Sequence, residues 1–504
     1  MKFARSILLL FATTTLGIAN AAFAQSAPAI ETGKQAETKS LEAQIEALQT
    51  QINELKALVS KATPSWKGAP QFNDEKAGWS FKVRGRLQYD TVYAGKPDNY
   101  VANRNLGFNS RVRRLRIGAE GTLPGQFGYK FDIDFNNAAV GFGDAYLYYA
   151  PKNAPIRIQL GNQEPLNGIE QMTSSNFVSF IERTQGNDAF LNNRRLGATI
   201  GIASKDNRAR FTVGAFTAHS IDASVDNDGY ILATRGTYSP EVGNGFIHLG
   251  ANAQYRNFQS NDNGAVSNSL GAPSTNQIAR YRARPFLQTT DVRFVDTGNF
   301  AAKSDYIVGV EAYGVFKSLH FGGEAQMIHV NSYSAGDVRT GLDAFAGGSA
   351  VTPTGDPTFF TGNFEIGYFL TGETRGYKNG LFDRTKVLKP FDKGGSGAIQ
   401  IIGRIDYLDL DSNRLKNGVT NNFANGTSTL AAPSARLARG GKQTGYLAGL
   451  TWIPTDYVRF LLNYIHTEVE GGPLAASTKP LSTKPIDNRK YSTDSVALRA
   501  QVDF

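Results

Sequence analysis

Residues 111–123 read RVRRLRIGAEGTL, and residues 127–135 read FGYKFDIDF. In both stretches apolar side chains alternate with charged or small ones, as Leu115, Arg116 and Ile117 illustrate. A period of two places successive side chains on opposite faces of a β-strand. The two stretches therefore predict a pair of amphipathic strands, each with one apolar and one charged face.

The same alternation recurs on both sides of these stretches, from Trp79 to the last strand, which ends at Phe504. A soluble β-sandwich would also alternate. A membrane barrel is favoured by an N-terminal secretory signal and by the persistence of the apolar and polar faces. It is also favoured by aromatic residues near the predicted strand ends, namely Tyr148, Tyr149, Trp452, Tyr457 and Tyr464.

Closure of the sheet follows from the physics of the bilayer, because an open sheet edge would leave unpaired backbone groups in hydrocarbon. The chain ends with Phe504 on an amphipathic strand, which is similar to the signal that directs barrels into the outer membrane. The roughly 425 residues from position 79 onward suit about 16 strands. We predict an all-β fold, a transmembrane antiparallel β-barrel over residues 79–504.

Composition excludes several other classes of protein. The chain has no cysteine, so disulfides and thiolate metal sites are excluded. Beyond the N-terminus it has no run of about 20 apolar residues, which a transmembrane helix requires. The formal net charge of +9 is modest for 504 residues, so the positions of the arginines carry more information than their total.

Residues 1–24 predict a bacterial signal peptide. Lys2 and Arg5 precede an apolar segment, and Ala22 and Ala24 are the small residues of a cleavage site. An uncleaved membrane anchor is the alternative, but the short segment and its final motif favour cleavage. We expect the mature chain to begin near Gln25 and to reside in the outer membrane of a Gram-negative bacterium.

Residues 25–62 contain a predicted coiled-coil helix. Between positions 39 and 62, two sets of apolar residues each recur every seven residues: Ile45, Ile52 and Val59, and Leu41, Leu48 and Leu55. This spacing gives one apolar seam, which favours self-association over a solitary helix lying on the barrel. We place this helix in the periplasm, and we interpret residues 63–78, which contain Pro and Gly, as a linker.

Residues 163–195 interrupt the alternation. They combine small hydroxyl side chains with an apolar patch and an adjacent charged pair, Glu182 and Arg183. A loop of roughly 30 residues inside a strand-rich protein is usually either functional or disordered, and the aromatic and aliphatic content of this loop argues against disorder. We interpret it as a loop folded into the lumen, where it narrows the pore.

Two sets of basic residues occupy alternate positions and would each share a strand face: Lys82, Arg84 and Arg86, and Arg280, Arg282 and Arg284. Guanidinium groups bind oxyanions through two donors and stay charged. A column of them attracts anions and passes them along if no single site binds too tightly. Alternatively, these residues pair with the predicted lumenal carboxylates of Glu120, Asp132 and Asp134 and only brace the wall. For residues 82–86 both interpretations remain open.

Taken in order, several segments resemble the phosphate-selective porin O and P family over about residues 80–504. The segments are RVRRLRIGAEGTL with YKFDIDF, GDAYLYYAP, QMTSSNFVSFIER, ARYRARP with RFVDTG, YFLTGETRGYKNG, and GGSGAIQIIGRIDYLDL. The resemblance implies a homotrimer of 16-stranded barrels embedded in outer-membrane lipid. It also implies an infolded third loop and arginines along the lumen.

The resemblance assigns an anion-binding constriction to specific residues, namely Arg113, Arg114, Asp144, Ser174 and Arg183. It also assigns a lumenal arginine ladder to Arg280, Arg282 and Arg284. The chain departs from the family pattern at Gln171, where phosphate-selective members have a lysine. Gln171 therefore weakens the expectation of phosphate selectivity but not that of a porin.

Two other classes of protein compete with a channel. An enzyme would need a nucleophile with a base or a metal site, but the five histidines show no such spacing. A periplasmic tether would need more than a helix of about 24 residues, some 36 Å long. We predict a passive porin that favours anions, phosphate or another small oxyanion, without catalytic residues, metal, cofactor or nucleic-acid partner. The alternative is a general porin for small hydrophilic solutes without phosphate selectivity.

Overall fold

A computed structural model describes residues 40–56, 64–66, 68–97, 106–135, 140–191, 193–218, 221, 229–258, 278–298, 300–332, 355–415, 439–475 and 484–504. The chain divides into two compact units, Met1–Thr63 and Pro64–Phe504. The predicted signal peptide and the predicted seam residue Val59 lie outside the described residues.

In the first unit, residues 40–56 are helical. The apolar seam residues on this helix are 47–60% exposed: Leu41, Ile45, Leu48, Ile52 and Leu55. Among the helices described, none is long and apolar enough to span a membrane. Association of this helix with other copies stays a prediction.

The second unit is a barrel of sixteen strands, labelled here in chain order. They are β1 Trp79–Ala94, β2 Gly107–Leu123, β3 Phe127–Asp134, β4 Gly141–Tyr149, β5 Ile156–Gln163, β6 Arg195–Ala203, β7 Ala209–Thr217, β8 Tyr230–Tyr238, β9 Gly245–Asn257, β10 Phe300–Phe316, β11 Leu319–Ser332, β12 Thr358–Phe369, β13 Ala398–Asp409, β14 Lys442–Thr455, β15 Val458–Glu470 and β16 Lys490–Asp503. Each strand pairs antiparallel with the next, and β16 pairs with β1 from Ser495↔Ala94 to Asp503↔Arg86. The pairing closes the sheet and confirms the predicted barrel.

The burial pattern is the reverse of a soluble sandwich. On β16, Leu498 and Val502 are 44% and 42% exposed, whereas Arg499 and Gln501 are 1% and 2% exposed. In a soluble core the apolar face would be the buried one. An apolar outer face and a polar interior are the arrangement of a barrel surrounded by lipid.

The segment predicted as a linker, residues 63–78, contains two short strands that belong to the second unit. Ser65–Trp66 pairs with Pro70–Asp74, and the latter pairs with the start of β1 through Phe72↔Phe81. Gly68, at φ 82°, supplies the left-handed conformation of the turn between them. Pro70 is the first residue of its strand, where proline is tolerated.

Residues 164–194, the connection between β5 and β6, form the infolded loop. It contains two short helices, α1 Ile169–Met172 and α2 Gln185–Ala189. Phe180 and Ile181 are 1% and 2% exposed and pack against inward side chains of β13–β16. Burying each such side chain contributes about 2 kcal/mol, which explains why this apolar patch leaves the solvent.

A second connection, residues 370–397 between β12 and β13, also enters the barrel, and we call it the infolded turn. Its two-stranded hairpin, Tyr377–Lys378 and Leu381–Phe382, bends at Asn379 and Gly380, whose φ angles are 55° and 79°. Positive φ at both positions is the requirement of a type I′ turn. A 3₁₀ helix, Phe391–Lys393, follows the hairpin.

The arginine ladder predicted on one strand, Arg280, Arg282 and Arg284, is not part of a barrel strand. It lies in the connection between β9 and β10, whose described part contains three two-residue strands. These are Ile278–Ala279, which pairs with β10, and Arg282–Ala283, which pairs with Val295–Asp296. Alternation misled the prediction because Tyr281 and Ala283 are buried within this connection rather than facing lipid. The remaining short elements are Glu241–Val242 and the 3₁₀ helix Ile486–Asn488.

Candidate functional site

A cavity of about 1120 Å³ lies between the infolded loop and strands β1–β7. Of the described residues, three carboxylates line it: Asp132, Asp144 and Glu164. Thirteen basic residues of the described chain line it: Arg84, Arg86, Arg113, Arg114, Arg116, Lys130, Lys152, Arg157, Arg183, Arg194, Arg195, Lys205 and Arg210. The balance of charge around this cavity is therefore strongly positive.

A β-bulge places two adjacent arginines on the cavity side of β2. Gln88 of β1 pairs with Arg114, but the next residue, Tyr89, pairs with Val112. Arg113 is therefore the extra residue of β2 at this point in the register. An extra residue in one strand shifts the alternation by one position. Both Arg113 and Arg114 can then line the cavity, which strict alternation would forbid.

Arg113 fastens the infolded loop to β2. Its Nε donates to Glu182 Oε1 over 2.7 Å and its Nη2 to Glu182 Oε2 over 3.1 Å. Arg499 of β16 approaches the same carboxylate at 3.3 Å. Burial alone would raise the pKa of Glu182, but Arg113 and Arg114 lower it to about 2, so Glu182 is ionised at neutral pH.

Arg86 and Arg114 make no ion pair with a carboxylate of the described residues. Arg114 donates from Nη1 to Gln88 Oε1 over 2.8 Å. Arg86 donates to the hydroxyls of Ser175 and Ser174 over 2.5 and 3.1 Å. Two positive charges and two hydroxyl groups are therefore available at the point where the loop meets β1 and β2, which is the chemistry that binds an oxyanion.

Arg183 braces the loop and also lines the cavity. Its Nε donates to the carbonyl of Glu170 over 2.6 Å, and its Nη2 donates to the carbonyl of Thr173 over 2.7 Å. Burial lowers the pKa of Arg183, opposed by Glu164 and Glu170. An arginine nevertheless remains charged at neutral pH, so this residue contributes both a positive charge and a support for α1.

Asp144 and Gln171 belong to one polar chain along the cavity wall. Asp144 pairs with Lys130 and, over 2.6 Å, with Arg194. Arg194 also pairs with Glu164 over 2.9 Å, and Gln171 donates from Nε2 to that carboxylate over 3.1 Å. Gln171 therefore faces the cavity next to a negative charge, which its residue type alone could not indicate.

The two predicted arginine ladders differ in outcome. Arg84 pairs with Glu120 and lies 4.0 Å from Asp132, whereas Arg86 donates to the hydroxyls of Ser174 and Ser175 and pairs with no carboxylate of the described residues. On β1, Arg84 therefore braces the wall, whereas the charge of Arg86, at the next inward position, remains accessible.

The members of the second ladder do not reach the cavity. Arg280 binds Asp296 through two bonds of 2.9 and 2.6 Å, and Arg284 binds Asp188 of α2 over 3.1 Å. Lys82 and Arg282 likewise lie outside the residues that line the cavity in the described part of the chain. The structure brings together only part of the predicted set.

Several cavity residues were missed as site candidates. Arg194 closes the infolded loop, and Arg210 follows a turn, so neither belongs to an obvious pattern. Arg157 lies on β5, and its guanidinium lies 3.6 Å from the centre of the Tyr148 ring. The one available signal was the density of arginine at inward positions of β2, β5 and β7.

The opposite side of the loop contacts carboxylates of the barrel wall. The wall residues Glu311, Glu324, Glu365 and Asp406 are each at most 5% exposed. The loop donates to them from Ile169 N (2.6 Å), Glu170 N (3.3 Å), Ser179 Oγ (3.0 Å) and Gln185 N (3.2 Å), in that order. A Cβ atom on Gly168 would lie 2.5 Å from Glu324 Oε2, so glycine permits this close approach.

Within the described residues, no group of three or more His, Asp or Glu side chains is arranged to hold a metal ion. His248 contacts Glu311 and Tyr377, and His320 contacts Arg375 and Gln400. Both histidines thus serve as hydrogen-bonded wall residues.

A sequence model of one family, described as phosphate-selective porin O and P, matches residues 81–504. The chain is 31% identical over 452 residues to an uncharacterized protein of Caulobacter vibrioides, covering 87% of this chain and 77% of the relative. It is 23% identical over 427 residues to Porin O of Pseudomonas aeruginosa, covering 80% of this chain and 86% of the relative.

Among solved structures, the chain is similar to an anion-selective porin from Comamonas acidovorans, with a TM-score of 0.46 and 11% identity over 84% of this chain and 100% of that one. It is also similar to the outer membrane channel DcaP of Acinetobacter baumannii, with a TM-score of 0.43 and 12% identity over 85% and 98% of the two chains.

Proposed function

This chain belongs to the phosphate-selective porin O and P family and is an outer-membrane channel, and from that premise we propose that it is a passive diffusion channel that favours anions. The substrate class is a small oxyanion such as phosphate. The observation that carries this proposal is the lining of the cavity, to which the described part of the chain contributes thirteen basic residues and three carboxylates. Fixed charge of one sign around a narrow passage concentrates ions of the other sign.

Arg86 and Arg114 support the oxyanion class in particular. They lie where the infolded loop meets the wall, and their partners are hydroxyls and an amide rather than carboxylates. Their charge is therefore available to a passing ion. The hydroxyls of Ser174 and Ser175 can replace part of the water lost by that ion.

Gln171 supports a second candidate, a general porin for small hydrophilic solutes. A neutral amide next to the Glu164 carboxylate binds phosphate less strongly than a lysine would. Together with Asp144, Glu164 lowers the net positive charge along this part of the wall. The two candidates differ in how sharply the channel distinguishes phosphate from chloride, not in its architecture.

Single-channel recording of the full chain in a planar bilayer separates these candidates. The reversal potential in a potassium chloride gradient gives the ratio of anion to cation permeability, and added phosphate is then tested for block of the chloride current. Anion preference with phosphate block supports the oxyanion channel. Anion preference without block supports the general porin, and a preference for cations would contradict both.

The proposal extends to assembly and position in the envelope. We place the barrel in outer-membrane lipid as a homotrimer, with the helix of residues 40–56 on the periplasmic side. The half-exposed apolar seam of that helix supports self-association, because isolated helices of this length are marginal in water. Deleting residues 39–62 should lower the temperature at which the oligomer dissociates on a gel while leaving single-channel conductance unchanged. A changed conductance would contradict this division of roles.

A further inference from the structure

The infolded loop and the infolded turn enter the barrel from different connections, yet both are linked to the same two carboxylates of the wall. The turn contacts Glu365 directly and reaches Glu311 through His248. Glu365 of β12 accepts from Ser179 of the loop over 3.0 Å and from Arg375 of the turn over 2.5 Å. Its other oxygen accepts from Arg404 of β13 over 2.7 Å. Glu365 is 0% exposed, so water cannot take the place of these partners.

Arg404 carries the connection further into the loop. The same Nη2 that binds Glu365 lies 3.1 Å from Oε1 of Glu170, which belongs to α1. The loop, the wall and the turn are thus linked in one buried series from Glu170 through Arg404 and Glu365 to Arg375. In such a series the position of each group depends on its neighbours.

Glu311 of β10 provides a second, separate link. One carboxylate oxygen accepts from the backbone N–H of Ile169 in α1 over 2.6 Å. The other contacts Nε2 of His248 over 2.9 Å, and Nδ1 of His248 lies 2.6 Å from the hydroxyl of Tyr377 in the turn. Glu311 is therefore linked to the turn through His248.

Glu324 of β11 shows that anchoring the loop does not require this arrangement. It accepts from the backbone N–H of Glu170 over 3.3 Å, one residue along α1 from the contact made by Glu311. Within the described residues, the other contact of this carboxylate is with Gln326 Nε2, over 3.4 Å, on the same strand. Neighbouring wall carboxylates therefore hold the same helix with and without a link to the turn.

From this arrangement we propose that Glu311 and Glu365 are positioning residues for the constriction, and that through them the infolded turn sets the position of the infolded loop. The cavity lies largely on the other side of that loop, although Leu381 of the turn also lines it. A displacement of the turn that moves the loop therefore changes the width of the passage. This proposal rests on the proposed function, because it takes the cavity as the permeation path.

The absence of cysteine from the chain permits a clean measurement of loop position. Met172, the last residue of α1, lines the cavity. In a Met172→Cys variant of the full chain in lipid, the rate of modification by an uncharged thiosulfonate reagent reports the accessibility of α1. An uncharged reagent makes this rate independent of anion preference, which the reversal potential measures separately.

Two substitutions in the turn test the proposal without touching the loop. Arg375→Gln removes the ionic contact with Glu365, and Tyr377→Phe removes the hydroxyl that binds His248. Each should change the labelling rate by at least about two-fold, the lower end of coupling between residues of one network. In a Glu365→Gln background, Arg375→Gln should have no further effect, and Tyr377→Phe should have none in a Glu311→Gln background.

Glu373→Gln is the matched control, because Glu373 is equally buried in the turn but accepts from Thr371 and from Leu388 N within the turn itself. It should leave the labelling rate unchanged. An equal change with Glu373→Gln would overturn the proposal in favour of general loosening. Unchanged rates with both Arg375→Gln and Tyr377→Phe would overturn it as well. Tyr377→Phe keeps the test decisive if a buried carboxylate variant fails to fold.

Discussion

The two sides of the infolded loop differ in which charged residues they present and in how these residues are buried. On the side of β1–β7, arginines and lysines surround a cavity of about 1120 Å³. On the side of β9–β13, the carboxylates Glu311, Glu324, Glu365 and Asp406 are buried against the loop. We call these the open side and the closed side.

The contrast teaches that a charge in the lumen acts according to its partners. On the closed side, Glu365 has three donors and no contact with water. On the open side, Arg86 and Arg114 have neutral partners only, within the described residues. A fully partnered buried charge fixes structure, whereas an unpaired charge beside a cavity attracts counter-ions.

The largest expected effect comes from breaking the closed side. Arg404→Met leaves Glu170 and Glu365 buried without their shared cation. Removing one member of a buried pair costs about 3–5 kcal/mol, and we expect the free energy of unfolding in urea to fall by that amount. Release of the loop should also raise single-channel conductance.

The same substitution on the open side provides the comparison. Arg84→Met breaks the contact with Glu120, but the two side chains are 24% and 39% exposed. Partly solvated pairs contribute about 0–1 kcal/mol, so the free energy of unfolding should change little. Equal losses in both variants would show that the two sides do not differ in the way described here.

The next effect concerns selectivity on the open side. In the double variant Arg86→Gln, Arg114→Gln, two charges are lost while hydrogen-bond donors remain. A unit charge about 6 Å from an ion contributes about 0.7 kcal/mol in water. Losing two charges should therefore lower the ratio of anion to cation permeability about ten-fold, measured as a shift of the reversal potential.

Arg256→Gln is the control for charge number. Arg256 is buried on β9 and binds Asp305 through its Nε over 2.6 Å, away from the cavity lining. This variant removes one positive charge from the protein but should not change the permeability ratio. A ratio that falls equally in both variants would mean that net charge, not the cavity lining, determines selectivity.

Sequence reasoning predicted the open side better than the closed side, for a physical reason. Alternation with period two identifies inward positions on strands, so Arg84 and Arg86 were predicted to share a strand face. It cannot identify a bulge, because the extra residue at Arg113 changes the register without changing composition. The assignment of Arg113 and Arg114 to the constriction came from the family resemblance instead.

The closed side depends on contacts between residues far apart in sequence. Glu365 and Ser179 are 186 positions apart, and only the folded barrel brings them together. The infolded turn was likewise hidden, although its Asn379-Gly380 pair is a recognised hairpin signal. Arg280 and Arg284 were assigned to a strand because alternation within a buried connection is indistinguishable from alternation in a barrel wall.

The smallest effect is expected at Gln171, where the carboxylate of Glu164 lies among the basic residues of the open side. Gln171→Lys adds an ammonium group to the cavity, but Glu164, which accepts from the present amide over 3.1 Å, would pair with it and cancel part of its charge. Charge-assisted bonds to phosphate exceed neutral ones by about 1 kcal/mol, equivalent to roughly five-fold in occupancy. The single variant should therefore lower the phosphate concentration that blocks half the chloride current by less than this factor.

Combining Gln171→Lys with Glu164→Gln should lower that concentration by nearly the full factor, whereas Gln171→Met should not strengthen the block. If neither lysine variant changes the block, Gln171 does not face the permeation path, and the open side is narrower than its lining suggests.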